Sequence, residues 1–231
     1  MNQHNIQKAY LKNFESNGKI WVFDKKSGNR VAKSANQCSS ENDFQSEILE
    51  ELQNREIESP GIKKLRSMAS DHFLTEDDIT KIMYWTALHL IRNKKYRKKS
   101  DLNHELDFRE TFQTEKLFSS YYRNIFAHTC SDSEFFITSD NPIIEFTVGQ
   151  HMLRVLVCSP TKAFLFSPID DFPVHQELGA TEMINSMMYS SSYEEIYSNH
   201  NQLPLEKYKD NIRKRNLIPN WEKTEFSVSN T

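Results

Sequence analysis

Residues 135–146, FFITSDNPIIEF, stand where the sequence changes from helical to strand periodicity. Two apolar runs flank a turn sequence in this stretch. Asp140 and Asn141 are common turn formers, and the residue before Pro142 is pushed toward extended backbone. The stretch therefore predicts two short strands around a tight turn.

Further strand signals follow this turn and define the second half of the chain. The apolar stretches 153–159 and 163–169 predict two strands, and 194–199 predicts a last one. Between them, 181–191 has helical spacing. The segment after residue 203 is polar. This half is expected to be a mostly antiparallel sheet with one helix.

The first half predicts a hairpin and then helices. Residues 18–34 carry β-branched and aromatic side chains on both sides of the turn sequence 26–29, which is typical of a β-hairpin. SSEN at 39–42 is predicted to cap a helix that stops at Pro60. A short helix is expected over 61–69.

Two longer helical patterns follow. Thr75 begins TEDD, a cap with carboxylates in the first turn, and the helix is predicted to run on through the basic residues near 99. A second stretch, roughly 102–127, also has helical spacing. The sequence thus predicts one α+β domain, in four parts: an N-terminal motif and hairpin (1–35), a helical part with one long helix (41–128), a mostly antiparallel sheet part (134–200) and a polar tail (203–231).

The composition excludes several classes of protein. In 231 residues the net charge is −3, so no global charge points to nucleic acid or a membrane. The three cysteines are far apart and predict neither a disulfide framework nor a zinc site. The N-terminus has no secretory signal pattern, and the apolar stretch 82–91 is about half the length that crosses a bilayer. We expect a cytoplasmic protein without membrane contact.

The first candidate cluster lies in HNIQKAYLKNF, residues 4–14. Helical spacing would place His4, Gln7 and Tyr10 on one side, where imidazole, amide and phenol can serve as acid/base and positioning groups. The alternative is a short helix that packs its apolar side inward. Both interpretations remain open at the level of sequence.

The second cluster lies at the C-terminal end of the predicted long helix. His89 and Arg92 share a face with positions 93 and 96, and arginine beside histidine favours anion binding. The run 92–99, RNKKYRKK, can hold a nucleic-acid backbone while its tyrosine stacks on a base. The candidate nucleic-acid contacts are His89, Lys94, Lys95, Tyr96 and Arg97. An ordinary amphipathic helix with a solvated basic end shows the same pattern.

The third cluster is the turn itself. Asp140 and Asn141 at a sheet edge can orient a histidine or hold a metal, although a tight turn needs the same residues. If the chemistry uses Mg²⁺ or Mn²⁺, Asp43 is the candidate to join Asp140. No nucleotide-binding loop, dinucleotide fingerprint or zinc-protease motif is present, so no organic cofactor is expected.

The order of these motifs resembles the bacterial family catalogued as domain of unknown function 4238, over roughly residues 4–200. The matching positions are His4, Ile6, Tyr10, Leu11, Phe14, 18–28, 41–44, Arg92 and 139–142. The chain departs from the family pattern at Gln7, where the family usually has proline, and at Ala9, where it usually has an aromatic residue. The resemblance implies no assigned reaction. It points to His4, Tyr10, Asn42, Asp43, Arg92, Asp140 and Asn141, and to mobile bacterial defence islands.

Our sequence-based hypothesis is a nucleic-acid-cleaving defence effector, with RNA favoured over DNA as the expected substrate. His4 would be the acid or base, Arg92 with His89 the phosphate clamp, and Asp140 the residue that orients His4. Tyr10 and Asn141 would be positioning donors. The alternatives are a non-catalytic module that binds or senses a ligand or a protein from the same operon, and a structural network that ties the N-terminus to the sheet.

Overall fold

The structure is a computed structural model, and it describes residues 2–4, 6–42, 51–69, 74–92, 124–148, 150–169 and 181–215. Within these ranges the strands form two four-stranded antiparallel sheets and a two-stranded ribbon. The α+β class is therefore confirmed. In chain order the elements are β1 (Asn2–His4), α1 (Lys8–Leu11), β2 (Ile20–Asp24), β3 (Arg30–Lys33), α2 (Ala35–Ser39), β4 (Ser40–Asn42), α3 (Ser59–Ala69), α4 (Glu76–Arg92), β5 (Asn124–Thr129), β6 (Thr138–Ser139), β7 (Ile143–Val148), β8 (His151–Ser159), β9 (Lys162–Ser167), α5 (Thr181–Ser191), β10 (Glu195–Ser198) and α6 (Leu205–Arg215).

The first sheet has the strand order β3-β2-β10-β6 and contains the predicted hairpin. β2 and β3 pair in antiparallel register around the predicted turn, where Gly28 has a φ of +73° that favours glycine. β10 inserts between β2 and β6, so Tyr197 lies opposite both Val22 and Thr138. Strand β10 thus joins the hairpin to the segment that begins the turn at 139–142.

The second sheet has the order β5-β9-β8-β7 and is covered on both faces. On one face Arg154 donates to Thr86 of α4 (3.1 Å), and Lys162 donates to the Ala69 carbonyl at the end of α3 (3.1 Å). On the other face Ile184 of α5 lies beside Val155. Burial on two faces explains why β8 and β9 are almost continuously apolar.

The N-terminal helix is docked between the two sheets. The inward-facing residues of HNIQKAYLKNF are buried as the apolar pattern predicts: Ile6, Tyr10, Leu11 and Phe14. The Tyr10 hydroxyl donates to the Val157 carbonyl of β8 (2.6 Å) and lies 2.8 Å from Thr138 Oγ1 of β6. This hydroxyl therefore ties the N-terminus to both sheets.

Within the described residues, the helical part contains a helix pair, α3 against α4. A π-helical turn, Asn54–Glu58, leads directly into α3, and the predicted Thr75 cap is present, because Thr75 and Asp78 exchange backbone-to-side-chain hydrogen bonds. Among the described residues, no helix combines the length and apolar character that a membrane span requires.

Four predictions about elements were wrong, and one element, α6, was not predicted. His4 lies in strand β1 and does not share a helix with Gln7 and Tyr10, because the helix begins at Lys8. Residues 40–42 form a strand instead of a helix cap, because they pair with β1. The helix continues past Pro60, because the π-helical turn Asn54–Glu58 directly before α3 already interrupts the regular α-helical hydrogen-bond pattern. Residues 124–127 belong to strand β5 because they pair with β9. The polar tail contains α6, whose Tyr208 is buried and lies 6.4 Å from Tyr189 of α5, measured between ring centroids.

Candidate functional site

Titratable side chains from β3, α2, β10 and the turn at Asp140 lie near one another. We call this group the Asp140 corner; it consists of Lys33, Cys38, Asp140, Glu195 and Tyr197. Glu195 accepts from Lys33 Nζ (3.3 Å) through one oxygen and from the Tyr197 hydroxyl (2.6 Å) through the other. Cys38 lies within electrostatic range of Lys33 and Glu195, and Tyr197 lies within range of Asp140.

The β1–β4 ribbon lies directly after the end of α2. In the ribbon, the backbone of His4 pairs with that of Ser40. Ser40 follows α2 directly and is two residues after Cys38. The chain therefore brings the N-terminal motif to the end of α2, where Cys38 lies within electrostatic range of Lys33 and Glu195, although the motif and Glu195 are far apart in sequence.

Asp140 is bound by three backbone amides. Its Oδ1 accepts from the Tyr193 amide (2.8 Å), and its Oδ2 accepts from the amides of Glu194 (2.5 Å) and Glu195 (3.0 Å). Burial raises the pKa of Asp140 to about 6, although these three hydrogen bonds act in the opposite direction. The carboxyl group thus holds the start of β10 and titrates close to neutral pH.

The other groups of the corner differ in accessibility. The side chains of Lys33 and Glu195 are 32% and 28% exposed, so solvent and a ligand reach their ion pair. Burial and the neighbouring Glu195 hold the pKa of Tyr197 well above its ordinary value. Burial also raises the pKa of Cys38 to about 12, which keeps it a thiol and a poor nucleophile. Glu195 and Lys33 are therefore the side chains of the corner that solvent reaches.

Asp140→Asn is expected to change how stability depends on pH. Because the pKa of Asp140 is raised on folding, its titration contributes stability that is fully present below about pH 3.8 and is lost as the pH rises through about 6. Asparagine does not titrate. The melting temperature of the unmodified protein minus that of the variant should therefore fall by a few degrees between pH 4.5 and pH 7.

Asp132→Asn is the control, since Asp132 is an exposed aspartate on a loop. The Asp140→Asn difference should change with pH by more than the Asp132→Asn difference does. If the Asp140→Asn difference grew with pH instead, the three amide donors would outweigh burial.

Asn141 and Ser139 hold the turn around Asp140. Ser139 Oγ donates to the Asn141 carbonyl (2.7 Å) and accepts from the Asn141 amide (3.1 Å), and Asn141 Nδ2 donates to the Ser191 carbonyl (3.2 Å). Within the described part of the chain, Asn141 Oδ1 is buried without a hydrogen-bond partner. The predicted tight turn is confirmed, and its side chains anchor it to the end of α5.

Arg92 belongs to a second, buried cluster at the end of α4. Its guanidinium donates to Glu58 (2.6 Å) and Gln53 (2.5 Å), and both charged side chains are almost fully buried. His89 is also buried, with its ring 4.0 Å from that of Trp85, and Trp85 donates to Gln7 (2.9 Å). In this conformation neither Arg92 nor His89 reaches solvent, where a phosphate would bind.

The predicted site residues therefore divide into groups. Asp140 and Asn141 are adjacent in the turn, and Tyr10 reaches Thr138 just before it. Arg92 and His89 lie in the buried cluster of α4, where Arg92 contacts Glu58 and Gln53 and His89 contacts Trp85. The His4 side chain is not described, and the predicted residues Asp43, Lys94, Lys95, Tyr96 and Arg97 lie outside the described residues.

Sequence reasoning missed Lys33, Cys38, Glu195 and Tyr197. The available signal was weak: Glu195 and Tyr197 alternate on one predicted strand and so share a face. Their link to Lys33 and Asp140 depends on the order β3-β2-β10-β6, which no local pattern predicts.

The described residues contain no group of three histidine, cysteine or acidic side chains arranged to hold a metal. At the corner, both oxygens of Asp140 already accept hydrogen bonds from amides. Glu195 is the partly exposed carboxylate there, so it is the group that would face a cation brought by a ligand.

The comparison with protein families gives one match. The model of the family described as "Protein of unknown function (DUF4238)" matches residues 2–128, which is more than half of the chain. The chain belongs to this family. No curated protein and no solved structure matches it.

Proposed function

We propose that this protein is a nucleic-acid phosphodiesterase that acts on RNA, with His4 as its acid–base group and the Asp140 corner as its setting. One observation carries the proposal. The pairing of His4 with Ser40 brings the N-terminal motif to the end of α2, beside the accessible Lys33–Glu195 pair. In this setting the protein would serve as an effector of bacterial defence.

The chemistry follows from the groups available. His4 would take the proton of an RNA 2′-hydroxyl, and that oxygen would attack the adjacent phosphorus while the 5′-oxygen leaves with a proton from solvent. The Lys33 ammonium would face the phosphate charge. Asp140 would act as a positioning residue, since its oxygens are used to hold the start of β10. The attacking 2′-hydroxyl belongs to the substrate. Because DNA lacks this group, the reaction requires RNA.

The test is a cleavage assay with labelled single-stranded RNA, tRNA, single-stranded DNA and duplex DNA, each with Mg²⁺, with Mn²⁺ and with EDTA. We expect the RNAs to be cut in EDTA as well. His4→Ala should slow cleavage by about 100-fold or more, the range for loss of a general acid or base, without lowering the melting temperature. Lys26→Ala, an exposed change in the hairpin turn, serves as the control variant.

A non-catalytic binding or sensing module is the second candidate, and a separate observation favours it. Tyr10, Arg92 and Asp140 are all engaged in hydrogen bonds within the protein, as the residues of a structural scaffold would be. In that case no substrate is cut. If these residues also form the structural network that ties the N-terminus to the sheet, His4→Ala lowers the melting temperature by several degrees.

A further inference from the structure

One face of the molecule carries positive charge without compensating acids in its own elements. It is formed by α1 with its following 3₁₀ turn, residues 8–14, and by α3, residues 59–69. These two segments contain five basic residues and no acidic residue: Lys8, Lys12, Lys63, Lys64 and Arg66. The whole chain has a net charge of −3, so this distribution is a local asymmetry. We call it the α1–α3 cationic face.

A direct contact joins the two elements of this face. Arg66 Nη2 of α3 donates to the Ala9 carbonyl of α1 (3.3 Å). Lys63 lies one helical turn before Arg66, and Lys12 lies about one turn after Ala9. The three basic side chains Lys12, Lys63 and Arg66 are exposed, and Lys8 is half-buried. The positive charges therefore surround a single junction.

The structure fixes the outward direction of these side chains. α1 buries Tyr10 and Leu11, and α3 buries Ile62 and Leu65, so the basic positions occupy the opposite sides. Lys64 differs from the others, because it forms an ion pair with Asp78 of α4 (2.5 Å). Arg66 holds the junction through its hydrogen bond to the Ala9 carbonyl, and Lys8, Lys12 and Lys63 supply the charges that a ligand would meet around it.

We propose that the α1–α3 cationic face binds the phosphate backbone of the nucleic acid on which this protein acts. The inference rests on the proposed function and names a contact surface for its substrate. Clustered lysine and arginine side chains bind nucleic acid by releasing counterions from its phosphates. Lys8 is four residues after His4 in the same segment, so a strand bound on this face lies next to the chain that carries His4.

The test compares two double variants by fluorescence anisotropy of labelled single-stranded RNA, in EDTA, over a series of KCl concentrations. Lys12→Glu/Lys63→Glu reverses two charges on the face. Lys26→Glu/Lys214→Glu makes the same change in net charge at exposed positions in the hairpin turn and near the end of α6. All four side chains are exposed, so both proteins are expected to fold, and circular dichroism checks this.

We expect the face variant to bind RNA at least about tenfold more weakly at low salt. Loss of two phosphate contacts should also lower the slope of log affinity against log salt by about 1.4. The control variant should stay within about twofold of the unmodified protein. Equal losses in both variants, or unchanged binding in the face variant, would overturn the inference. So would loss of binding to phosphatidylserine vesicles while RNA binding stays unchanged, because the face would then serve a membrane.

The two proposals fail in different ways. Cleavage of RNA by the unmodified protein with equal binding by both double variants leaves the proposed function intact and removes the cationic face. Salt-dependent binding that only the face variant loses, without cleavage by any protein, retains the face and removes the phosphodiesterase.

Discussion

Arg92→Met is expected to destabilise the protein by about 3–5 kcal/mol, because it leaves the buried carboxylate of Glu58 without its cation. The two side chains are 2% and 6% exposed and 2.6 Å apart, so solvent cannot replace the lost partner. For a chain of this size the melting temperature should fall by roughly 10 °C. Urea denaturation followed by circular dichroism measures the change in free energy of unfolding.

The double variant Glu58→Leu/Arg92→Met is the matched control. It removes both charges, so the protein should regain most of the lost stability, as is common when a buried ion pair is replaced by apolar groups. If Arg92→Met alone were as stable as the unmodified protein, the ion pair would not be the structural role of Arg92. The next role to test for Arg92 would then be phosphate binding.

Gly61→Ala is expected to destabilise the protein by about 1–3 kcal/mol, the cost of overpacking a core. Alanine in place of glycine inside a helix normally adds about 1 kcal/mol of stability, so the expected sign is reversed here. A Cβ on residue 61 would lie 2.5 Å from the Cβ of Trp85 and 2.9 Å from its Cγ and Cδ1. Trp85 is fully buried and donates to Gln7, so it has no room to move aside.

Ser67→Ala in the same helix is the control for Gly61→Ala. Ser67 lies two turns further along α3, and its hydroxyl bonds only to the Lys63 carbonyl within the helix. This change should be neutral or slightly stabilising, since alanine has the higher helix propensity. Thermal unfolding gives the melting temperatures of both variants. A stabilised Gly61→Ala protein would mean that α3 and α4 separate easily.

Loss of activity in an Arg92 variant does not by itself identify a catalytic role. Loss of cleavage in an Arg92 variant would follow from unfolding alone, whatever the role of the residue in catalysis. Lys33 and Glu195 are better probes of the site, because their side chains are partly exposed and their ion pair spans β3 and β10 at the surface. A loss of activity at these positions with an unchanged melting temperature would report on chemistry.

The sequence by itself determined the elements whose signals are local. The hairpin at 18–34, the inward side of the N-terminal helix, the Thr75 cap and the turn around Asp140 all depend on neighbouring residues and formed as predicted. Alternation, helical spacing and turn chemistry act over a few residues, which is why they can be recognised along the chain.

Tertiary structure alone decided what the polar residues touch. Helical spacing places His89 and Arg92 on one face, but it cannot tell whether that face meets water or Glu58. In the same way, only the insertion of β10 between β2 and β6 brings Glu195 beside Lys33 and Asp140, and only the pairing of β1 with β4 brings the backbone of His4 to the end of α2. The physical reason is common to both cases: the partner of a buried polar group is far away in sequence, and its position depends on how all the elements pack together.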